Sequence, residues 1–149
     1  MTVERKTRPA RTPGPDRGGS ILSAIDHVQL PMPPGGEEMA RSFYIDILGL
    51  AEVEKPPELA ARGGTWFAGR DVAIHLGVEH DHRPSAKAHP GFIVDDLTET
   101  RAHLTRAGVP VEEDDSGLPV ERCYIRDPFG NRIELIDAGD AGFSSGAPG

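Results

Sequence analysis

Between residues 21 and 137 the hydrophobic and polar positions change period in a fixed order, and that order occurs twice. The first copy opens with a predicted strand, Ile21–Leu30, and a Pro/Gly loop, PMPPGG. Met39, Phe43, Ile47 and Leu48 then fall at helical spacing, which predicts a helix over Glu37–Leu48 with Gly49 as its left-handed cap. Short alternating runs predict strands at about 51–55, 65–69 and 72–79, the last two joined by a Gly69-Arg70-Asp71 turn. In the second copy a strand around His89–Val94 leads to a helix at about Leu97–Ala107 that ends at Gly108. Strands follow at about 109–113, 121–126 and 131–137, and Asp127-Pro128-Phe129-Gly130-Asn131 joins the last two with strong turn chemistry.

Each copy therefore reads strand–helix–strand–strand–strand, with modules at 21–79 and 86–137 and an α+β fold class. Neither module alone could bury both faces of its sheet, so two must combine. The short polar linker HDHRPSAK, residues 80–87, lets them pair within one chain or across a dimer.

Residues 1–20 mix Arg, Lys, Pro and Gly with almost nothing apolar and read as a disordered tail, and 138–149 as a flexible one. The formal charge of −8 argues against nucleic acid or an anionic membrane as partner. No apolar run approaches the roughly 20 residues that span a bilayer, and no apolar segment follows the N-terminal charges as a secretory signal would require. Cys123 is the only cysteine, so an internal disulfide is impossible and a cytoplasmic setting is expected.

The residues able to do chemistry fall in register with the repeat. His27 and His89 occupy the first strands of the two copies, His75 and Glu134 the last strands, at separations of 48 (75 − 27) and 45 (134 − 89). Side chains alternate across a strand, so Ala73 and Gly77 share the face of His75, and Gly91 that of His89. Small neighbours leave room for a metal and a substrate where a packed core would place Val, Leu or Phe. Imidazole with carboxylate suits Zn, Fe(II), Mn, Co or Ni. Three neutral histidines and one carboxylate would leave a divalent ion at +1, which favours an anionic substrate or intermediate.

The segments IDHVQL, FYIDILGL, AIHLGVE, KAHPGFIVDDL and CYIRDPFGNRIELID resemble the vicinal oxygen chelate superfamily of glyoxalases, fosfomycin and bleomycin resistance proteins and extradiol dioxygenases. The resemblance covers about residues 23–137, and DPFGNRIEL is its most specific piece. It implies paired βαβββ modules forming a cup-shaped mixed sheet around a metal, with short members building sites at a homodimer interface. It places ligands at His27, His89 and Glu134. The fourth position departs from the glyoxalase I pattern, which commonly has Glu where this chain has His75. Isomerisation of that kind needs a carboxylate base, and only Glu134 is available for the role.

The resulting expectation is a metal-dependent enzyme that holds a small-molecule substrate through two oxygens and stabilises an anionic intermediate, a lyase or isomerase. The alternatives are Fe(II)-dependent ring cleavage, thiol transfer to an epoxide antibiotic, and a non-catalytic drug-binding protein of the bleomycin-resistance kind. Trp66, Arg122 and Tyr124 are candidate substrate contacts, with core packing the competing reading for Trp66 and Tyr124. Arg83 and Lys87 are candidates for the mouth of the site. The cluster Glu79, His80, Asp81 and His82 reads as a solvated turn, Cys123 as an inert buried thiol and His103 as an exposed helical residue.

Overall fold

The computed structural model describes residues 20–146; the rest of the expected N-terminal tail, and residues 147–149, lie outside the described residues. The first module runs β1 (Val28–Met32), α1 (Glu37–Arg41) continuing as a π-helical segment (Ser42–Ile47), β2 (Ala51–Val53), a single helical turn α2 (Pro57–Ala60), β3 (Thr65–Gly69) and β4 (Val72–Val78). The second runs β5 (Gly91–Val94), α3 (Leu97–Arg106), β6 (Glu112–Glu113), β7 (Arg122–Arg126) and β8 (Arg132–Asp137), and short 3₁₀ turns at Ala138–Asp140 and Phe143–Ser145 follow. Each module forms its own four-stranded mixed sheet, in the orders β1-β4-β3-β2 and β5-β8-β7-β6. In each, the outermost first strand runs parallel to the last.

Alternation explains which faces close. Leu30 and Met32 of β1 and Ile74 and Leu76 of β4 are buried, as are Cys123 and Ile125 of β7 and Ile133 and Leu135 of β8. All of these join one hydrophobic cluster that also takes in Phe43, Tyr44, Leu97 and Leu104 from the helices. The modules thus share a core within the chain, which leaves the opposite sheet faces for the candidate ligands. Polar ties cross the same boundary: the Tyr44 hydroxyl donates to Asp127 Oδ2 at 2.8 Å, Asn131 Nδ2 to the Pro31 carbonyl at 2.7 Å, and His103 Nε2 to the Ile47 carbonyl at 2.7 Å.

Several element boundaries differ from expectation. The first helix buries Ala40, Phe43 and Tyr44, packs Ile47 and Leu48 partly against the core as expected, and leaves Met39 55% exposed. Its second half widens, with the Leu48 amide bonding the Phe43 carbonyl five residues back at 3.0 Å. Gly49 and Gly108 close the two long helices at φ of 76° and 77°, as their type predicts. The second strand stops at Val53, ahead of Pro56-Pro57, which start α2 instead. The expected strand 109–113 survives only as Glu112–Glu113. At α3, Asp96 accepts from the Glu99 amide and Asp137 Oδ2 from the Leu97 amide, both at 2.9 Å, so β8 caps the helix beside it. The linker is not wholly solvated, because half-buried His82 bonds the Phe129 carbonyl at 2.8 Å.

Candidate metal and substrate site

The strand register sets corresponding residues in two matching rows. Gln29, His75, Trp66 and Val53 are successive cross-strand neighbours in the first sheet. Gly91, Glu134, Tyr124 and Glu112 are their counterparts in the second. His27 and His89 each precede the first residue of their row by two, just ahead of strands that begin at Val28 and Gly91 rather than within them. The repeat in sequence is therefore a repeat in space.

In the first sheet the rings of Trp66, His75 and His27 form a stack. Trp66 and His75 lie 3.9 Å apart at 4°, and His75 and His27 lie 4.1 Å apart at 15°. Burial and then the neighbouring His27 hold the pKa of His75 below the ordinary histidine value, so a neutral imidazole is favoured. His27 Nδ1 lies 2.8 Å from Asp26 Oδ2, a contact that places the proton on Nδ1 and leaves Nε2 a lone pair. The space beside Gly77 is occupied, since a Cβ there would come within 2.7 Å of the Gln29 amide nitrogen.

In the second sheet His89 Nδ1 donates to the Lys87 carbonyl at 2.6 Å, which again frees Nε2. That nitrogen faces Glu134 Oε2 at 3.1 Å. With Nδ1 donating, Nε2 can meet a carboxylate oxygen only through a second ring proton or a cation between them. Gly91 makes the approach possible, because a Cβ would meet Glu134 Oε2 at 3.3 Å. Glu134 is 8% exposed, and its Oε1 accepts from Arg122 Nη1 at 3.1 Å. Tyr124 lies edge-on to His89, with ring centroids 5.4 Å apart, and the Arg132 guanidinium sits 3.9 Å above its ring.

Neutral imidazole nitrogens and a carboxylate fit a divalent transition ion by type. They stand as two pairs: among the described residues no group of three or more such donors comes together in one chain. A cleft of about 570 Å³ beside β1 and the start of β5 is lined by Gln29, Arg83, His89 and Arg132, so Arg83 and one ligand candidate line the same cleft. Sequence reasoning missed Asp114, whose Oδ2 lies 3.0 Å from Arg122 Nε. The Asp-Asp-Ser run at 114–116, with its turn-forming side chains, was the available signal.

The neutral state of His75 has a measurable consequence. Its folded pKa is below its unfolded value of 6.5, so protonation favours the unfolded chain as pH falls through that window. Above 6.5 the effect vanishes, since the ring is neutral in both states. Urea midpoints should therefore decline on acidification below pH 6.5, and His75→Gln should flatten part of that slope. An unchanged slope in the variant would remove His75 as the cause.

Two module sheets of this topology, with helices on the core side, define a glyoxalase-like fold, and the comparisons agree. The family model for the glyoxalase/bleomycin resistance protein/dioxygenase superfamily matches residues 24–135, and the chain belongs to that superfamily. A glyoxalase family protein from Bacillus anthracis is 43% identical over 80% of this chain and 98% of its own, with a TM-score of 0.76. An antibiotic binding protein from Streptomyces sp. CB03234 is 26% identical over 76% of this chain and 97% of its own, at 0.58. A lactoylglutathione lyase from Agrobacterium tumefaciens, 24% identical over 83% of this chain and 100% of its own, at 0.60, shares the fold. Among curated proteins none matches the chain. Among the described residues no helix is long and apolar enough to cross a membrane.

Proposed function

We propose that this chain is a divalent-metal-dependent enzyme of glyoxalase type, a lyase or isomerase acting on a small substrate with two neighbouring oxygens. His27, His75, His89 and Glu134 are its ligands, gathered as two pairs from two copies of the chain in a homodimer. The observation that carries the reading is the matched placement of the pairs, each at the same two positions of its sheet on the strand face opposite the core. An ion held there would supply Lewis-acid charge to both substrate oxygens.

The chain's own groups divide the remaining work. Glu134 Oε2 is the candidate base, since it is the carboxylate oxygen left free by Arg122. Trp66 and Tyr124, at equivalent positions of the two rows, are the candidate substrate contacts. Asp26 and the Lys87 carbonyl fix the His27 and His89 rings. Buried Cys123 has its thiol pKa pushed up by burial and plays no part. Such a thiol suits a reducing, cytoplasmic setting.

The test is elemental analysis of protein purified without chelator, with fluorescence followed during Co(II) addition. Trp66 is the only tryptophan and stacks on a proposed ligand, so the bound ion should quench most of the emission. The expected result is about one ion per site, with quenching lost in His75→Ala. Absence of metal after reconstitution would overturn the proposal. The similarity to an antibiotic binding protein supports a second reading, a drug-binding protein without metal chemistry. Drug affinity indifferent to chelator would favour it.

A further inference from the structure

Both oxygens of Glu134 are already assigned. Oε2 faces His89 Nε2, and Oε1 accepts from Arg122 Nη1, each at 3.1 Å. Arg122 is in turn held from behind. Its Nε lies 3.0 Å from Asp114 Oδ2, and its Nη2 lies 3.3 Å from Asp114 Oδ1 and 3.2 Å from Ser116 Oγ. Ser116 closes the arrangement by donating its hydroxyl to Asp114 Oδ2 at 2.6 Å. The Arg122 side chain is 16% exposed, and those of Asp114 and Glu134 are each 11% exposed. Nη1 and Nη2 are thus hydrogen-bonded inside the chain, and buried Nε, which makes no hydrogen bond among the described residues, is paired by charge with Asp114, which leaves little of Arg122 for a substrate.

We infer that Arg122, anchored by Asp114, is a positioning residue that fixes Glu134 as a one-oxygen ligand and presents Oε2 alone to the site. A carboxylate can bind an ion through one oxygen or both, and a guanidinium bond on Oε1 removes the second mode. The same bond stops the carboxylate from rotating, so the oxygen that meets the ion and the proton is always the same one. Arg suits the task better than Lys, because its planar fork spans two carboxylates at once. The inference rests on the metal reading proposed above, and its test separates the two.

Co(II) is titrated into the full-length wild type and into Arg122→Met, Arg122→Lys and Asp114→Asn, with affinity, the visible Co(II) spectrum and thermal melting recorded. Arg122→Met should weaken Co(II) binding by about 10- to 100-fold, and its spectrum should change as Glu134 becomes free to chelate through both oxygens. Arg122→Lys should recover part of the affinity, and Asp114→Asn should weaken binding by less than Arg122→Met. A purely structural role would lower the melting temperature and leave the Co(II) spectrum of the folded fraction alone. If Arg122→Met does not fold, Arg122→Lys and Asp114→Asn carry the same comparison. Wild-type affinity and spectrum in the folded variants would overturn the positioning role with the metal reading intact. Failure of the wild type itself to bind Co(II) would instead overturn the metal reading and take this inference with it.

Discussion

Mixing the His75→Ala and Glu134→Ala proteins should restore metal binding that neither has alone. One chain sets His27 with His75 on one sheet and His89 with Glu134 on the other, and it does not gather three of these donors together. The inward faces of both sheets are already committed to a shared core. Completing a four-donor site then requires the first module of one chain and the second module of another. In a symmetric dimer built that way, each pure variant loses a ligand from every site. A mixed dimer carries both substitutions in one site and neither in the other. Random reassociation makes half the dimers mixed, so roughly a quarter of the wild-type metal should return. Refolding the variants together and measuring bound metal by elemental analysis, against each refolded separately, gives the answer. No gain on mixing would mean the sites do not form across chains in this way.

The same geometry shows how much of the molecule could be read from its residues. Period-two alternation placed most of the strands, because each sheet buries one face and leaves the other for polar and ring side chains. The repeat predicted that His27 corresponds to His89 and His75 to Glu134; strand register makes His75 and Glu134 equivalent, while His27 and His89 lie just ahead of their strands, each two residues before the first member of its row. Trp66 and Tyr124 turn out to be equivalents as well, a match visible only once the antiparallel registers are known. Pattern could not say which faces of the two modules meet, since an alternating strand looks the same whether its apolar face meets its own partner module or another chain's. Nor could it separate an α-helix from the π-helical segment at Ser42–Ile47, where the hydrophobic spacing fits both within one residue. Arg122 was expected at a substrate. Its partners Asp114 and Glu134 lie 8 and 12 residues away along the chain, and no sequence period links them.

Replacing Asp127 should be the most damaging single change in the described fold. The Asp-Pro-Phe-Gly-Asn segment reads as a turn between strands, and Asp127 and Asn131 are each only 5% exposed. Asp127 Oδ1 accepts from the amides of Phe129 and Asn131, both at 2.9 Å. Oδ2 accepts from the Tyr44 hydroxyl and from Asn131 Nδ2, both at 2.8 Å. One carboxylate therefore satisfies four donors drawn from the turn and from the helical segment of the other module, while Asn131 reaches on to the Pro31 carbonyl in β1. Burial, followed by the charge of Asp127, raises the Tyr44 pKa well above the phenol range, so the hydroxyl stays a donor at any working pH. Asp127→Ala would strand those donors in a dry interior and cost about 3–5 kcal/mol, a large part of the 5–15 kcal/mol that holds a typical domain together. Tyr44→Phe removes only one of the four bonds and should cost about 1–2 kcal/mol. Urea unfolding at pH 7 with unchanged m-values measures both. A double-mutant cycle of Tyr44→Phe with Asp127→Asn should show coupling above about 0.5 kcal/mol. An Asp127→Ala loss within about 1 kcal/mol, the worth of a single ordinary hydrogen bond, would mean that Pro128 and the left-handed Gly130 hold the turn by backbone geometry alone, and that the carboxylate is not what ties the two modules together.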